Sequence, residues 1–364
     1  TANLDYAAIK ELGGLLKELK ACGRTMVLSE HRLYYLAGIA DEYWLMEDGQ
    51  IKKRCTEEEI KDLQKERGIP LRTLALEDVV VSAGPPVEMV GSAPFLFGAS
   101  GLCFGYRRKG EEVLKGVSFQ AHGGEAVGII GSNGSGKTTM GKLLAGLLPP
   151  SAGDILYNGK KMKSREIQKK ALFVMQESEF QFYTNSVMNE LWYGHKDTPE
   201  FKKEIERLLK KFGMWECRNR HPFALSGGQM QKLSLMTAYF SSKQIVILDE
   251  PTAGLDAESL KSCAELIREM QHGKLVFIIT HDIELIAQAC TRCICITDGK
   301  TEREISLEGD AQIKELVDYM EGSFQMETGT YAGIDGNRKC RLHPSVKLLF
   351  WLAAMAVVSI SDNS

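Results

Sequence analysis

Nine residues, Gly131 to Thr139, constrain the fold of this chain more than any other stretch. They read GSNGSGKTT, follow the apolar run EAVGII and precede the helix-like run TMGKLLAGLL. The pattern G-x-x-x-x-G-K-[ST] between a strand and a helix is typical of a loop that binds phosphate groups through its backbone N–H groups. A glycine-rich turn with an incidental lysine is the alternative, and the matching flanks and downstream residues disfavour it. The stretch therefore predicts a nucleotide phosphate site.

The residues of this loop divide by role. Gly131, Gly134 and Gly136 let the backbone curl so that its N–H groups face phosphate oxygens, and the following helix N-terminus adds a favourable dipole. Lys137 is expected to reach the β- and γ-phosphates, and Thr138 to hold Mg²⁺. The other loop residues predicted to contact the nucleotide are Ser132, Asn133, Ser135 and Thr139.

Two acids and a histidine supply the chemistry that such a loop requires. Asp249 and Glu250 end the apolar run QIVILDE, where Asp249 can hold Mg²⁺ and Glu250 can act as the general base. Two acids that merely cap a strand are the alternative. His281 follows the run LVFIIT and could contact the γ-phosphate from the next strand, although a lone histidine is more often structural. Its repeat at His31 favours a role.

The length and the apolar pattern predict the architecture. With 364 residues, two or three folded units are expected. From about Leu102 to Leu307, apolar runs alternate with helical stretches, which indicates an α/β unit around a largely parallel sheet. A net charge of −3 gives no bias toward nucleic acid. For the cysteines of CTRCIC, Cys290 to Cys295, buried thiols are favoured over a metal site, because a CxxC pair needs a second pair of ligands.

A second glycine-containing helix start completes the pattern. LSGGQ, Leu225 to Gln229, places Ser226 as an N-cap before MQKLSLMTAYF, which is another anion-binding helix terminus. With GSNGSGKTT, LSGGQ, ILDEPTAGLD and a downstream histidine in this order, the chain resembles the ATP-binding-cassette (ABC) ATPases over Leu102 to Leu307. The resemblance implies a P-loop nucleotide-binding domain with a mostly parallel sheet and a helical subdomain.

The resemblance also assigns roles to single residues. Tyr106 would stack on adenine, with a buried core tyrosine as the alternative. Gln176 would touch Mg²⁺ or the attacking water and report on the transport subunit, unless it simply faces solvent. In this family two domains sandwich two ATP molecules, so the signature of one domain grips the γ-phosphate held by the other. The residues that this implies as nucleotide contacts are Ser226, Gly227, Gly228, Gln229, Asp256 and, from the repeat, His31.

The chain contains an internal repeat at an offset of 250 residues. GRTMVLSEHRL, Gly23 to Leu33, aligns with GKLVFIITHDI, Gly273 to Ile283, and each copy predicts a helix, a β-rich run, another helix and a strand that closes on Asp-Gly. The opening TANLD, which ends at Asp5, resembles TAGLD, the D-loop of the complete cassette. The predicted organisation is the end of a first cassette at 1–78, a linker at 79–98, a complete second cassette at 99–322, a linker at 323–340 and the start of a membrane segment at 341–364.

Two features resemble one branch of the family, the energy-coupling factor (ECF) transporters. Gln181, Phe182 and Tyr183 match the second glutamine and apolar pair of the ECF glutamine loop, although Ser178 stands where proline is usual. The phrase RLHPSVKLLFWLAAMAVVSIS resembles the start of the membrane T component. Its apolar run, 346–360, is shorter than the roughly 20 residues that span a bilayer and could instead form a buried or interfacial helix.

The expected function is an ATPase at the cytoplasmic face of the cell membrane, which uses ATP and Mg²⁺ to drive uptake of a vitamin or metal ion. Its expected partners are a T component, a substrate-binding S component and a second ATPase domain, in the same chain or in a homodimer. One alternative is a soluble ABC ATPase that acts on DNA or ribosomes. Only 88 residues separate Lys137 from Ser226, without a long heptad insertion, and no nucleic-acid partner is expected. A nucleotide sensor without turnover is disfavoured because Glu250 and His281 are both present.

Overall fold

The computed structural model describes residues 6–47, 49–65, 95–107, 110–177 and 181–323. All of them lie in the first of the two units into which the chain divides, Thr1–Phe324. Several predictions fall outside the described residues. These are the D-loop-like opening with Asp5, residue Ser178, most of the predicted linker at 79–98, the connector from residue 324 onward and the predicted membrane segment at 341–364.

The amino-terminal described residues form a small α/β arrangement. Its elements are helix α1 (Tyr6–Ala21), strands β1 (Tyr43–Glu47) and β2 (Gln50–Cys55), and helix α2 (Glu57–Lys65). Strands β1 and β2 form an antiparallel hairpin. Two small apolar clusters stabilise this part, one around Leu16, Leu36 and Ile39 and the other around Tyr43 and Ile60.

A four-stranded antiparallel sheet begins the larger part of the structure. Its strands are β3 (Leu96–Phe104), β4 (Leu114–His122), β6 (Ala152–Tyr157) and β7 (Lys160–Lys161), in the order β4-β3-β6-β7. Strand β3 therefore begins inside the predicted linker at 79–98, three residues before the predicted start of the second cassette at residue 99. Leu96 pairs with His122 of β4 and Phe97 pairs with Tyr157 of β6. These two neighbouring strands provide hydrogen-bond partners for the backbone of the first residues of β3.

The second sheet has six strands and positions the candidate site. They are β5 (Ala126–Ile130), β8 (Ala171–Val174), β9 (Ile245–Asp249), β10 (Leu275–Ile279), β11 (Arg292–Thr297) and β12 (Lys300–Ser306), in the order β12-β11-β5-β10-β9-β8. All neighbouring strands from β11 to β8 pair in parallel, and β12 is antiparallel to β11. Every residue of β5, β9 and β10 is buried, as expected for parallel strands that are covered on both faces.

Helices pack around this sheet and complete the domain. They are α3 (Lys137–Leu144), α4 (Ser164–Lys170), α5 (Val187–Trp192), α6 (Pro199–Lys211), α7 (Gly227–Phe240), α8 (Ala257–Gln271), α9 (Ile283–Ala289) and α10 (Asp310–Ser323). The cysteines Cys290, Cys293 and Cys295 lie in the core between these layers, where burial raises their pKa values. Within the described ranges, no helix combines the length and the apolar character needed to cross a bilayer.

One predicted strand is absent from the described structure. The run from residue 24 to residue 30 of the first copy has no regular secondary structure, whereas its equivalent in the second copy is β10. Strand β10 lies between β5 and β9 and bonds to both. The described residues from 6 to 65 contain no strands that could flank the first run in the same way, so its backbone lacks the partners that make an extended run a strand.

Candidate nucleotide-binding site

A cavity of about 400 Å³ lies where β5, β9 and β10 end and α3 begins. The predicted residues that line it are Tyr106, Asn133, Gly134, Gly136, Lys137, Thr138, Thr139, Gln176, Asp249, Glu250 and His281. Because the strands are parallel, residues that follow separate strands meet at one edge of the sheet, which is where open α/β sheets bind ligands. The structure thus brings together the glycine-rich loop, the two acids, the glutamine and the histidine.

The glycine-rich loop joins β5 to α3 with a conformation that requires glycine. Gly131 has φ +154°, and a Cβ atom there would lie 2.1 Å from the carbonyl oxygen of Ile296. Gly136 has φ +101°, and its Cβ would lie 2.7 Å from a methyl carbon of Leu114. The Nζ atom of Lys137 donates to the carbonyl oxygens of Gly131, at 2.8 Å, and Ser132, at 2.7 Å. The loop therefore curls around the lysine ammonium, which is buried.

Two observations test whether this loop fits a phosphate chain. The side-chain oxygen of Ser135 is buried and has no hydrogen-bond partner among the residues described, so a ligand oxygen could satisfy it. Gly134 has φ +84°, and no atom of the described residues lies within 4 Å of the position its Cβ would take, so the loop faces open space within this part of the chain. A buried ammonium, an unsatisfied hydroxyl and open space at the start of a helix are the features that an anionic ligand requires.

Thr138 and Asp249 form the pair predicted to hold Mg²⁺. The Thr138 hydroxyl donates to Oδ1 of Asp249 at 3.2 Å, which brings the loop and the end of β9 into contact. Burial raises the pKa of Asp249, while the hydrogen bond from Thr138 and the charges of Lys142 and Lys137 oppose the rise. A hydroxyl and a carboxylate are oxygen ligands of the kind Mg²⁺ prefers, so the two residues fit that ion.

Glu250 occupies a strained and buried position directly after β9. Its backbone is left-handed, with φ +48°, and its N–H donates to the carbonyl oxygen of Ile279 at 2.8 Å. Burial raises the pKa of Glu250 to about 7; the hydrogen bond from Thr280 and the charge of Arg32 act against this rise, and Asp249 and Asp282 add to it. A carboxylate with a pKa near neutrality is suited to accept a proton at physiological pH.

His281 lies beside this carboxylate. Its Nε2 atom is 3.7 Å from Oε1 of Glu250, and its side chain is only 7% exposed. Because His281 also lines the cavity, it can donate a hydrogen bond toward a ligand oxygen there. The structure thus places the predicted base and the predicted γ-phosphate contact side by side.

Tyr106 is the tyrosine among the residues that line the cavity. Its side chain is 63% exposed, so the alternative of a buried core tyrosine is wrong. The hydroxyl oxygen is 3.0 Å from that of Thr139. The ring packs edge-on against Phe104, with 5.0 Å between the two ring centroids. Much of the side chain is therefore accessible to a flat ligand that could stack on it.

Gln176 lies shortly after β8 and lines the same cavity. Next to it, the side chain of Gln181 donates to the carbonyl oxygen of Met175 at 3.2 Å. Phe182 packs against the core, whereas Tyr183 is 80% exposed. The segment after Gln176 therefore presents an aromatic side chain to the surface.

The signature residues lie elsewhere. Ser226 caps the N-terminus of α7, where its side chain accepts from the N–H of Gln229 at 3.3 Å, and the N–H of Ser226 donates to Oε1 of Gln229 at 3.1 Å. None of Ser226, Gly227, Gly228 and Gln229 lines the cavity. Asp256 caps α8 by accepting from the N–H of Ser259 at 2.7 Å and is also outside the lining. These residues are not brought into the site by the described part of this single chain.

His31 does not join the cavity either. It is exposed, and its N–H donates to the side chain of Glu30 at 2.9 Å. Its neighbour Arg32 is buried, and its charge acts on Glu250. At the repeat offset Arg32 stands where the second copy has Asp282, so the two copies differ in charge beside the histidine.

Sequence reasoning missed Thr280, Val113 and Ile279. Val113 and Ile279 line the cavity, and the hydroxyl of Thr280 donates to Oε2 of Glu250 at 3.0 Å. The sequence signal for Thr280 was its place directly before His281, at the end of a strand next to the one that carries the acids. Periodicity alone could not show that its hydroxyl points at Glu250.

Known proteins resemble the chain over this region. Residues 114–253 match the ABC transporter family. An ABC transporter ATP-binding protein of Treponema denticola is 35% identical over 312 residues, which cover 84% of this chain and 63% of that protein. A Bacillus subtilis protein named as an HMP/thiamine import ATP-binding protein is 30% identical over 283 residues, which cover 76% of this chain and 51% of that protein. The chain thus spans less than two thirds of the length of these relatives.

Solved structures show the same architecture. The structure of cbiO1 from Clostridium perfringens, described as part of the ABC transporter complex cbiONQ, has a TM-score of 0.53 and 28% identity, covering 62% of this chain and 91% of that one. A dimeric ATP-binding cassette in a post-hydrolysis state, bound to ADP and Pi, has a TM-score of 0.50 and 27% identity, covering 58% of this chain and 99% of that one. The predicted fold class, an α/β nucleotide-binding domain with a mostly parallel sheet, is confirmed.

Proposed function

We propose that this chain, which contains an ATPase domain of the ABC transporter ATP-binding family, binds and hydrolyses Mg-ATP. The energy of hydrolysis would drive the import of a vitamin or metal ion. One observation carries the proposal: the glycine-rich loop, Asp249, Glu250, Gln176 and His281 line a single cavity. These groups come from separate strands and loops, and phosphoryl transfer to water needs each of them in one place.

Binding follows from the polarity of the cavity. Lys137 and the N–H groups at the start of α3 would take the phosphates, and the exposed ring of Tyr106 would stack on adenine. Thr138, Asp249 and Gln176 would hold the metal. Mg²⁺, when bound, would screen the phosphate charge during the transfer.

Hydrolysis would depend on the acid and the histidine. Glu250 would accept a proton from the attacking water, since its carboxylate lines the cavity and its pKa lies at about 7. His281, 3.7 Å from that carboxylate, would donate a hydrogen bond to the γ-phosphate. The bond from Lys137 to the same phosphate would stabilise the charge that builds up on it.

The position of the signature supports a second ATPase domain as partner. Ser226 and its neighbours lie outside the cavity, while their helix start has the capping geometry that suits an anion. We infer that they act on ATP held by another domain, either in the same polypeptide or in a homodimer. The dimeric cassette among the similar structures is consistent with such pairing.

Several features support an ECF-type importer at the cytoplasmic face of the membrane. A surface groove beside the glutamine loop is lined by aromatic and amide side chains, and Tyr183 and Tyr193 are 80% and 68% exposed in it. Exposed aromatic surface of this kind suits a protein partner, here the proposed T component, with the S component selecting the cargo. The names of the thiamine-import relative and of the cbiONQ component point in the same direction.

The repeat supports the proposal that residues 1–78 end a first cassette. Hairpin β1–β2 pairs Tyr43 with Cys55 and changes register after Leu45. Hairpin β11–β12 pairs Cys293 with Ile305 and changes register after Cys295, at the same offset of 250 residues. Residues 341–364 remain a proposed start of a fused T component.

The alternative is a soluble ABC ATPase that acts on nucleic acid or ribosomes. The net charge of −3 and the exposed aromatic groove favour the transporter.

The test is ATP turnover by the purified chain, compared with its Glu250→Gln variant. Glu308→Gln, an exposed carboxyl outside the cavity, is the matched control. We expect Glu250→Gln to lower the turnover number by about 100-fold or more while Mg-ATP still binds, and Glu308→Gln to leave it unchanged. Equal turnover in all three proteins would remove Glu250 from the mechanism.

A further inference from the structure

Thr280 occupies a position that no predicted role accounts for. It directly follows β10 and is completely buried. Its hydroxyl donates to Oε2 of Glu250 at 3.0 Å, and the hydroxyl oxygen of Thr280 accepts from the N–H of Asp282 at 3.1 Å. A hydroxyl has one proton, so the bond accepted from Asp282 leaves that proton directed at Glu250.

A second bond ties the same two strand ends together. The N–H of Glu250 donates to the carbonyl oxygen of Ile279, the residue before Thr280. This bond continues the parallel pairing of β9 and β10, in which Asp249 lies opposite Ile279. The backbone of Glu250 is left-handed, with φ +48°, a conformation that is strained for a residue with a Cβ. The bond to Ile279 helps to hold the backbone in this conformation. Backbone and carboxylate of Glu250 are therefore both anchored on the end of β10.

The two carboxylate oxygens of Glu250 consequently differ. Oε2 accepts from Thr280, whereas Oε1 lies 3.7 Å from Nε2 of His281 and accepts no hydrogen bond from any residue that the structure describes. Rotation about the last side-chain torsion of a glutamate is broad and roughly two-fold, so an unanchored carboxylate would sample many orientations. The bond from Thr280 selects one of them.

We propose that Thr280 is a positioning residue that fixes the Glu250 carboxylate so that Oε1 faces the attacking water. The inference rests on the proposed role of Glu250 as general base. Thr280 itself touches neither water nor nucleotide in this scheme, because its hydroxyl is committed to Glu250 and Asp282. It acts by keeping the carboxylate in a reactive orientation, and small errors in the orientation of a reacting group greatly lower the reaction rate.

The experiment compares Thr280→Val, Thr280→Ser and the control Thr291→Val in steady-state ATP hydrolysis. Valine keeps the shape of threonine and removes the hydroxyl, whereas serine keeps the hydroxyl. Thr291 also donates its hydroxyl, to the carbonyl oxygen of Ala126, but does not line the cavity. We expect Thr280→Val to lower kcat by roughly 10- to 100-fold with KM for ATP within about two-fold, and Thr280→Ser to recover most of that loss. Thr291→Val should leave kcat unchanged.

A second comparison separates positioning from a general loss of structure. The same Thr280→Val change is made in the Glu250→Gln background. If Thr280 acts through Glu250, the second substitution lowers the residual rate by less than about two-fold, so the two effects are not additive. A merely structural role would lower the rate by the same factor in both backgrounds, and that result would overturn the proposal.

The outcomes also distinguish this inference from the proposed function. If Glu250→Gln has no effect, the assignment of the base fails and the role of Thr280 fails with it. If Glu250→Gln abolishes turnover while Thr280→Val matches the Thr291→Val control, the base stands and only the inference is overturned. If Thr280→Val does not fold, Thr280→Ala and Thr280→Ser provide the same comparison of a missing and a present hydroxyl.

Discussion

The two copies of the repeat have the same sequence pattern and only partly the same structure. Helix α1 ends at Ala21 and α8 ends at Gln271, and the two hairpins share their register, including the irregularity after Leu45 and Cys295. The runs between helix and hairpin differ. In the second copy this run is β10, with every residue buried, whereas in the first copy Val27 is 88% exposed and lies in no strand.

The difference shows which elements are determined by their local sequence and which depend on distant strands. A hairpin contains both of its strands and its turn, so its register is set locally wherever the sequence recurs. A strand in the middle of a parallel sheet must receive hydrogen bonds from both sides, and its partners are far away in sequence. Strand β10 receives them from β5 and β9, which precede the second copy in the sequence, and the described residues from 6 to 65 contain no equivalent strands.

The largest expected effect tests this contrast in the core. Ile278 in β10 and Leu28 in the first copy occupy equivalent positions, and their exposures are 0% and 48%. Ile278→Ala should lower the free energy of unfolding by about 4 kcal/mol, because it removes buried methyl groups and leaves a cavity. Leu28→Ala should cost less than about 1 kcal/mol. Denaturant unfolding of both variants measures the difference.

A loss at Leu28 as large as that at Ile278 would contradict the comparison. It would mean that the first run is buried in solution, against partners beyond the residues described. The matched pair thus reports directly on whether the first copy has a completed sheet.

The next prediction compares the two histidines. His281 lines the nucleotide cavity beside Glu250, whereas His31 is exposed and outside the lining. His281→Ala should lower kcat for ATP hydrolysis by about 100-fold, which corresponds to the loss of one hydrogen bond to the transferred phosphate. His31→Ala should change kcat by less than about three-fold in this chain.

Steady-state kinetics of the two variants, with bound nucleotide measured in parallel, would decide the point. Equal losses would show that the first copy contributes its histidine to the cavity of the second. Wild-type turnover in His281→Ala would remove that residue from the site.

Individual residues show which parts of the fold and of the candidate site can be predicted from the sequence. The glycine-rich loop, Asp249, Glu250 and His281 line one cavity, as their motifs predict, because each motif places particular residue types directly after a strand. The prediction of a strand at 24–30 is wrong, because this run has the same sequence pattern as β10 but lacks neighbouring strands among the described residues. Thr280 was missed for a related reason: a hydroxyl directed across two strand ends depends on their pairing, which no local pattern encodes.

The smallest effect is expected at the turns of the two hairpins, where Gly299 and Gly49 have φ values of +76° and +72°. Alanine at Gly49 should cost about 1 kcal/mol, because a left-handed residue with a Cβ is strained, while no atom of the residues described lies within 4 Å of the added carbon. At Gly299 the same carbon would lie 2.2 Å from the carbonyl oxygen of Val113, a residue that lines the nucleotide cavity. Gly299→Ala should therefore cost about 1–2 kcal/mol more than Gly49→Ala and also weaken nucleotide binding. Thermal unfolding with and without Mg-ATP measures both effects, and equal shifts in the two variants would show that the second hairpin yields to the added carbon without disturbing Val113.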